Sequence, residues 1–174
     1  ARAGVLVKGG GPLETLGRVK TMAFDKTGTL TWGAPRVTSL VHADGVTEGD
    51  LIATLVAVES LSDHPLATAI VRDLAPRLAD GGRLAADDLN AVIGRGVTAT
   101  IGGERVEVGN LRMFEEQQLQ LPTALADAYQ TARDSGQTLM IVRRGNAFLG
   151  IVGVMDTSRA ESAHVLRALR GANV

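Results

Sequence analysis

Residues 25–31 read Asp-Lys-Thr-Gly-Thr-Leu-Thr, directly after the apolar-rich run Val19-Lys20-Thr21-Met22-Ala23-Phe24. A run of that kind predicts a short buried strand. Asp25 then falls at the strand's carboxyl end, where open α/β sheets place their reactive groups. Gly28 lets the backbone turn tightly, and the threonines and free amides around it suit phosphate oxygens. A carboxylate beside the Lys26 ammonium, in such a turn, is equipped to accept a phosphoryl group. Singly, each residue is better explained as part of a polar turn with a capping or surface aspartate. The unbroken string is what favours chemistry.

Composition narrows the partners. A chain of 174 residues with 45% hydrophobic content can bury a core and form one or two small domains. The net charge of −1 and the interspersed charges give no nucleic-acid or membrane-surface footprint. Without cysteine there is no disulfide framework and no thiolate metal site, and the three histidines are scattered. Aromatic content of 3% offers no base-stacking platform for nucleic acid. No apolar run approaches the roughly 18 residues of a membrane span, and no signal peptide is evident. Abundant Ala, Gly and Arg fit a GC-rich bacterial genome.

The remaining chain alternates short helices and strands. Pro12 is expected at the first position of one helical turn over 12–16. A strand is expected over 36–42, closed by Asp44-Gly45, followed by a helix capped by Thr47 with Asp50 three residues on and running to about Glu59. A second helix begins with Pro65 and continues to Leu74, with Pro76 and Asp80-Gly81-Gly82 ending it; the two form a hairpin. Strands over 89–93, 97–101 and 104–108 follow, the last two joined by Gly102-Gly103. Helices over 110–117 and 122–135, the latter stopped by Gly136, precede a hairpin of 138–142 with 147–154. A final helix spans about 159–170.

Two further stretches bear on ligand binding. In Glu59-Ser60-Leu61-Ser62-Asp63-His64-Pro65, the plain reading makes Glu59 a solvated helix-end carboxylate and His64 or Asp63 an N-cap. The functional reading stacks the imidazole on a purine and lets the carboxylate accept from an exocyclic amine. Gly94-Arg95-Gly96-Val97 is most simply a turn or bulge. It is no dinucleotide fingerprint, because the third glycine is missing and a strand follows it. Its glycines would still admit a phosphate or ribose close to the backbone.

Together these strings resemble the P-type ATPases that transport heavy metals, with zinc, cadmium and lead exporters ahead of copper ones. The resemblance covers essentially the whole chain: Asp25 to Thr31, Glu59 with His64-Pro65, Gly94-x-Gly96-Val97, Gly109-Asn110, and Asp156-Thr157-Ser158-Arg159. It implies that Asp25 is the phosphorylated nucleophile, that Lys26 steadies charge, and that Thr27 and Thr29 contact the phosphoryl group. Thr27 stands where related phosphatases of the haloacid-dehalogenase superfamily carry an acid–base Asp, which should slow hydrolysis of the acyl phosphate. By the same resemblance Glu59 and His64 hold adenine, while Gly94, Gly96, Val97, Gly109, Asn110, Asp156 and Arg159 belong to the ATP site. Mg²⁺ is implied, with Asp25 and Thr27 among its ligands.

The implied fold is α/β (α+β). An inserted nucleotide-binding domain over 34–152, a twisted antiparallel sheet with two helical hairpins, interrupts a haloacid-dehalogenase-like Rossmann phosphorylation domain. Residues 1–33 supply that domain's linker and first part, and 153–174 its second part. The chain is then a soluble piece, on the cytoplasmic side of a bacterial membrane, of a larger pump. Its partners would be ATP and the pump's remaining phosphorylation, actuator and transmembrane domains, with the transported metal bound elsewhere and no nucleic acid. The alternatives are an isolated nucleotide-binding module without turnover and a haloacid-dehalogenase-like phosphatase.

Overall fold

A computed structural model describes residues 9–79 and 81–174, and the side chain of Thr27 also lies outside what it describes. The lead-in over 1–8 and Asp80 of the Asp-Gly-Gly cluster are therefore outside the described residues. The chain divides into two compact units, one of residues 34–157 and one of residues 1–33 with 158–174.

The larger unit is built on a six-stranded sheet. In chain order its elements are β1 (Thr31–His42), α2 (Glu48–Glu59), α3 (Pro65–Leu74), β2 (Asp87–Val92), β3 (Gly96–Ile101), β4 (Glu104–Gly109), α4 (Leu111–Glu115), α5 (Thr123–Asp134), β5 (Thr138–Arg144) and β6 (Ala147–Ser158). The strands lie in the order β1-β6-β5-β4-β3-β2, and neighbours from β2 through β6 pair antiparallel. Local chemistry starts the helices where the sequence indicates. The Thr47 hydroxyl accepts from the Asp50 amide at 3.1 Å and donates to its carboxylate, giving α2 its cap. Pro65 opens α3, and Gly136, at φ +80, closes α5.

Strand alternation sorts the core into two layers. Met140 and Val142 of β5, Val152 and Val154 of β6, and Val106 and Val108 of β4 face one way. There they pack with Leu51, Leu55 and Val58 of α2 and with Ile70 and Leu74 of α3. The intervening Leu139, Ile141 and Ile151 face the other way and meet Phe114 of α4 and Leu125 of α5. Helix α2 is apolar nearly all round, as an element covered on several sides must be.

Alternation also explains Glu107. Between Val106 and Val108 it must face the α4–α5 layer, and it is only 2% exposed. Arg143, its cross-strand neighbour on β5, donates to it at 2.8 Å, and the Gln117 amide donates at 3.1 Å. Burial pushes its pKa up, but Arg143, Gln117 and Arg105 outweigh that and hold it below the usual carboxylate range.

The smaller unit holds α1 (Gly10–Leu16), a single π-type turn over Lys26–Leu30, and α6 (Ala160–Gly171). Two expectations change here. Helix α1 starts at Gly10, so Pro12 sits at its third position. Residues 19–24, expected to form a strand, are irregular: Phe24 is half-buried, Met22 exposed. An apolar run becomes a strand only when a neighbour completes its ladder, and no described residue does so for 19–24. Asp25 accordingly stands at the N-cap position of the π-type turn, without a side-chain capping bond, instead of ending a strand.

Glu107→Ala leaves the Arg143 guanidinium buried without its anion. Urea denaturation at neutral pH is expected to show a loss of about 3 kcal/mol. Because the folded pKa is depressed, this stabilisation is present above the ordinary carboxylate pKa. It disappears as pH falls through the folded value, so the two proteins converge in acid.

Candidate functional site

In the larger unit, a cleft of about 410 Å³ opens where the α2–α3 connection, the β2–β3 turn, Asn110 and the start of β5 converge. Among the residues lining it are Glu59, His64, Gly94, Gly96, Val97 and Asn110. Four separated stretches of sequence thus meet in one place.

Helix α2 ends at Glu59, where the Ser60 hydroxyl folds back on the Val56 carbonyl at 2.6 Å and the Ser62 amide bonds the Glu59 carbonyl at 3.1 Å. Glu59 is 5% exposed, and its carboxyl has no hydrogen bond or ion pair among the described residues. Burial pushes its pKa up to about 7. The sequence-based picture of a solvated helix-end carboxylate is therefore corrected: the last turn of α2 is packed beneath the cleft instead of facing water.

His64 does cap α3, its Nδ1 accepting from the Leu66 amide at 3.2 Å. An accepting Nδ1 assigns the proton of the neutral ring to Nε2. The structural role of the imidazole thus fixes its tautomer at the edge of the cleft and leaves Nε2 unbonded among the described residues.

The glycines have packing reasons of their own. Gly96 (φ +154) and Gly109 are register partners on β3 and β4. A Cβ on Gly96 would stand 2.1 Å from the Val108 carbonyl oxygen. One on Gly109 would stand 2.4 Å from Met113 Sδ and 2.7 Å from the Arg95 carbonyl oxygen. Gly94 (φ +67) meets nothing within 4 Å and owes its glycine to the turn. Asn110 secures that turn. Its amide donates to the Arg95 carbonyl at 2.8 Å, its Nδ2 donates to the Gly94 carbonyl at 2.9 Å, and its Oδ1 accepts from the Met113 amide at 3.3 Å.

Several lining residues escaped the sequence reading: Ser62, Leu66, Ile93 and the 138–140 segment. Ile93 is 96% exposed. A large aliphatic residue in a glycine-flanked turn, where polar residues are usual, was the available signal.

In the smaller unit Asp25 is exposed at the head of the π-type turn. Thr31 braces the turn internally: its hydroxyl accepts from the Gly28 amide at 3.1 Å and donates to the Lys26 carbonyl at 3.0 Å. The Gly28 amide, expected to be open to phosphate oxygens, is thus engaged. Arg159 fastens the turn to the start of α6. Its Nε donates to the Thr31 carbonyl at 3.1 Å, its Nη2 to the Gly28 carbonyl at 3.2 Å, and its guanidinium stacks 4.5 Å from the Trp32 ring centroid. The Ser162 hydroxyl adds a bond to the Leu30 carbonyl at 2.8 Å. Asp156, in the larger unit, accepts from the Ala34 amide at 3.2 Å.

Magnesium needs an octahedron of oxygens, part of it carboxylate. Among the described residues no group of three or more His, Cys, Asp or Glu side chains is gathered, and the turn offers one carboxylate, Asp25. The residues around Asp25 do not by themselves compose a magnesium site. Adenine fits the cleft better, since a buried carboxyl without a partner is what an exocyclic amine would satisfy.

The profile of the haloacid dehalogenase-like hydrolases matches residues 19–174, and the chain belongs to that family. Within it, the similarity is to heavy-metal-transporting P-type ATPases. Zinc/cadmium/lead-transporting P-type ATPases of Shigella sonnei (strain Ss046) and Escherichia coli (strain K12) are each 40% identical over 174 residues. Those alignments take in 100% of this chain and 23% of each relative, so the chain spans about a quarter of their length. A crystal structure of a zinc-transporting PIB-type ATPase in its E2.Pi state superposes with a TM-score of 0.77 at 40% identity, over 99% of this chain and 27% of that one. No described helix is long and apolar enough to cross a membrane.

Glu59→Gln tests the buried carboxyl. A raised folded pKa means that stability is complete below the unfolded value near 4.5 and falls as pH rises towards 7. Measured by denaturation across pH 4–8, the glutamine variant is expected to gain on the wild type through that window, by about 3 kcal/mol in all. A difference independent of pH would contradict the burial.

Proposed function

We propose that the chain is the ATP-binding and phosphoacceptor part of a heavy-metal-transporting P-type ATPase. The observation that carries this reading is the meeting of Glu59, His64, the 94–97 turn and Asn110 at one cleft. His64 stacks on the purine, Glu59 takes its exocyclic amine, and the turn at Gly94 admits the sugar–phosphate side. The apolar rim at Ile93 suits the face of a base. In this reading residues 34–152, most of the larger unit, form the nucleotide-binding domain, and residues 1–33 and 153–174 belong to the phosphorylation domain.

The chemical step is transfer to Asp25. A carboxylate oxygen attacks the γ-phosphorus, the bond from that phosphorus to the bridging oxygen breaks, and the electron pair leaves with ADP. Lys26 offsets the charge on the acyl phosphate, while Thr27 and Thr29 hold its oxygens. Threonine at 27 cannot act as a general base, so the acyl phosphate persists. Arg159 and Ser162 hold the turn that presents Asp25, which shifts Arg159 from a nucleotide contact to a positioning role. Transport of zinc, cadmium or lead would use membrane segments and further domains belonging to the rest of such a protein. Magnesium, which supplies charge neutralisation when bound, would need carboxylates beyond Asp25.

That last point favours a second, narrower reading. With one carboxylate at the turn, the chain taken alone would bind nucleotide and turn over little.

Calorimetric titration with ATP, with and without Mg²⁺, separates these outcomes. Saturable binding is expected in both conditions, weakened about tenfold or more in His64→Ala. Incubation with γ-labelled ATP should give an acid-stable, hydroxylamine-sensitive label that is absent from Asp25→Asn. Binding without label supports the narrower reading. Binding unaffected by His64→Ala overturns the assignment of the cleft.

A further inference from the structure

Beside the cleft lies a second groove, also about 410 Å³, between α4 and α5. It is lined by Asn110, Leu111, Arg112, Glu115, Tyr129 and Arg133. Asn110 lines both spaces, so the two grooves adjoin at that residue.

The charges in this groove are unusual for the unit. Residues 34–157 contain no lysine, and among the described residues every arginine except Arg83, Arg112 and Arg133 holds a carboxylate. Two of those three unpaired guanidiniums line one groove. The Tyr129 hydroxyl, also in the groove, has no hydrogen-bond partner among the described residues, while its ring packs against the α4–α5 core. Glu115 is the one acidic lining residue. Glu116 lies close enough to feel Arg112, but Arg95 already holds its carboxylate. Arg133 sits in the last turn of α5, where a cation answers the helix's carboxyl end without being neutralised by an ion pair. The groove thus keeps an excess of cationic donors, with guanidinium forks suited to tetrahedral oxyanions.

We propose that the α4–α5 groove is a phosphate-binding site, with Arg112, Arg133 and the Tyr129 hydroxyl as its donors. The chemistry admits two sources. One is the phosphate chain of the nucleotide held in the adjoining cleft, passing over Asn110, and this version rests on the nucleotide reading above. The other is a free phosphate or pyrophosphate bound independently of it. Both guanidinium side chains are on exposed residues, so their substitution leaves the core untouched.

The test uses the whole 174-residue chain as wild type, Arg112→Gln, Arg133→Gln and the double variant. ATP, adenosine and pyrophosphate are titrated by calorimetry, with amide NMR shifts followed over 111–115 and 129–133. If the nucleotide supplies the phosphate, the double variant loses about fivefold or more in ATP affinity, adenosine is unaffected, and the loss shrinks in high salt. If the site takes free phosphate, pyrophosphate moves those amides in wild type but not in the variants, and ATP affinity is unchanged. Should the double variant misfold, the single variants and the wild-type pyrophosphate titration decide. ATP affinity equal in all four proteins, with no pyrophosphate shift in α4 or α5, overturns the proposal. Loss of ATP binding in His64→Ala reports on the cleft alone, so the two readings fail separately.

Discussion

Asn110 ties together elements that would otherwise be free of one another. Its side chain holds the Gly94 carbonyl of the β2–β3 turn and caps α4, and its backbone amide holds the Arg95 carbonyl. The tie is possible because β3 and β4 approach through a glycine pair, Gly96 against Gly109, that leaves no room for a side chain at either position. The turn is thereby fixed as one wall of the cleft, and α4 is fixed as one wall of the groove beside it. Glycines and an asparagine that look like ligand contacts in the sequence act first as the geometry of the site. In the proposed nucleotide reading a ligand role is added to that, since a rigid turn presents its backbone without further ordering cost.

Two buried glutamates show how the same residue type serves different ends. Glu107 is enclosed with Arg143 and Gln117 supplying donors, so it stays ionised and fastens the segment just after α4 to the sheet. Glu59 is enclosed with no donor, and burial moves its pKa to near neutrality. A nearly buried carboxyl with no donor among the described residues is a cost that packing alone does not explain. Its place at the floor of a cleft is what gives the cost a use. Arg105 on β4 itself, together with Arg143 and Gln117 from neighbouring segments, supplies Glu107 with donors, whereas none reaches Glu59 among the described residues.

The turn at Asp25 follows another principle. Besides the internal brace of the Thr31 hydroxyl, its described constraints are carbonyls held from the start of α6: Arg159 on Gly28 and Thr31, Ser162 on Leu30. Residues more than a hundred positions apart in the chain thus define the backbone that presents the carboxylate. The stack of Arg159 on Trp32 adds an aromatic face to the same arrangement.

Much of this protein was legible without coordinates, because its signals are local. Thr47 with Asp50, Pro65, Gly136 and Gly102-Gly103 act through their own dihedral limits and hydrogen bonds within a few residues, so the helices and hairpins they bound fall where expected. The composite strings at 25–31 and 59–65 pointed to the family for the same reason: each packs its meaning into adjacent residues. The strand expected over 19–24 did not form, since a strand requires a partner that a hydrophobic run cannot announce. The burial of Glu59, the exposure of Ile93 at the rim, and the sorting of arginines into paired and unpaired depend on which distant segments arrive alongside. Sequence determined the elements and the reactive residue types. Tertiary structure alone decided which carboxyl is largely withdrawn from water, which cations stay free, and which glycines are demanded by packing, because solvation and pairing are properties of the space between elements.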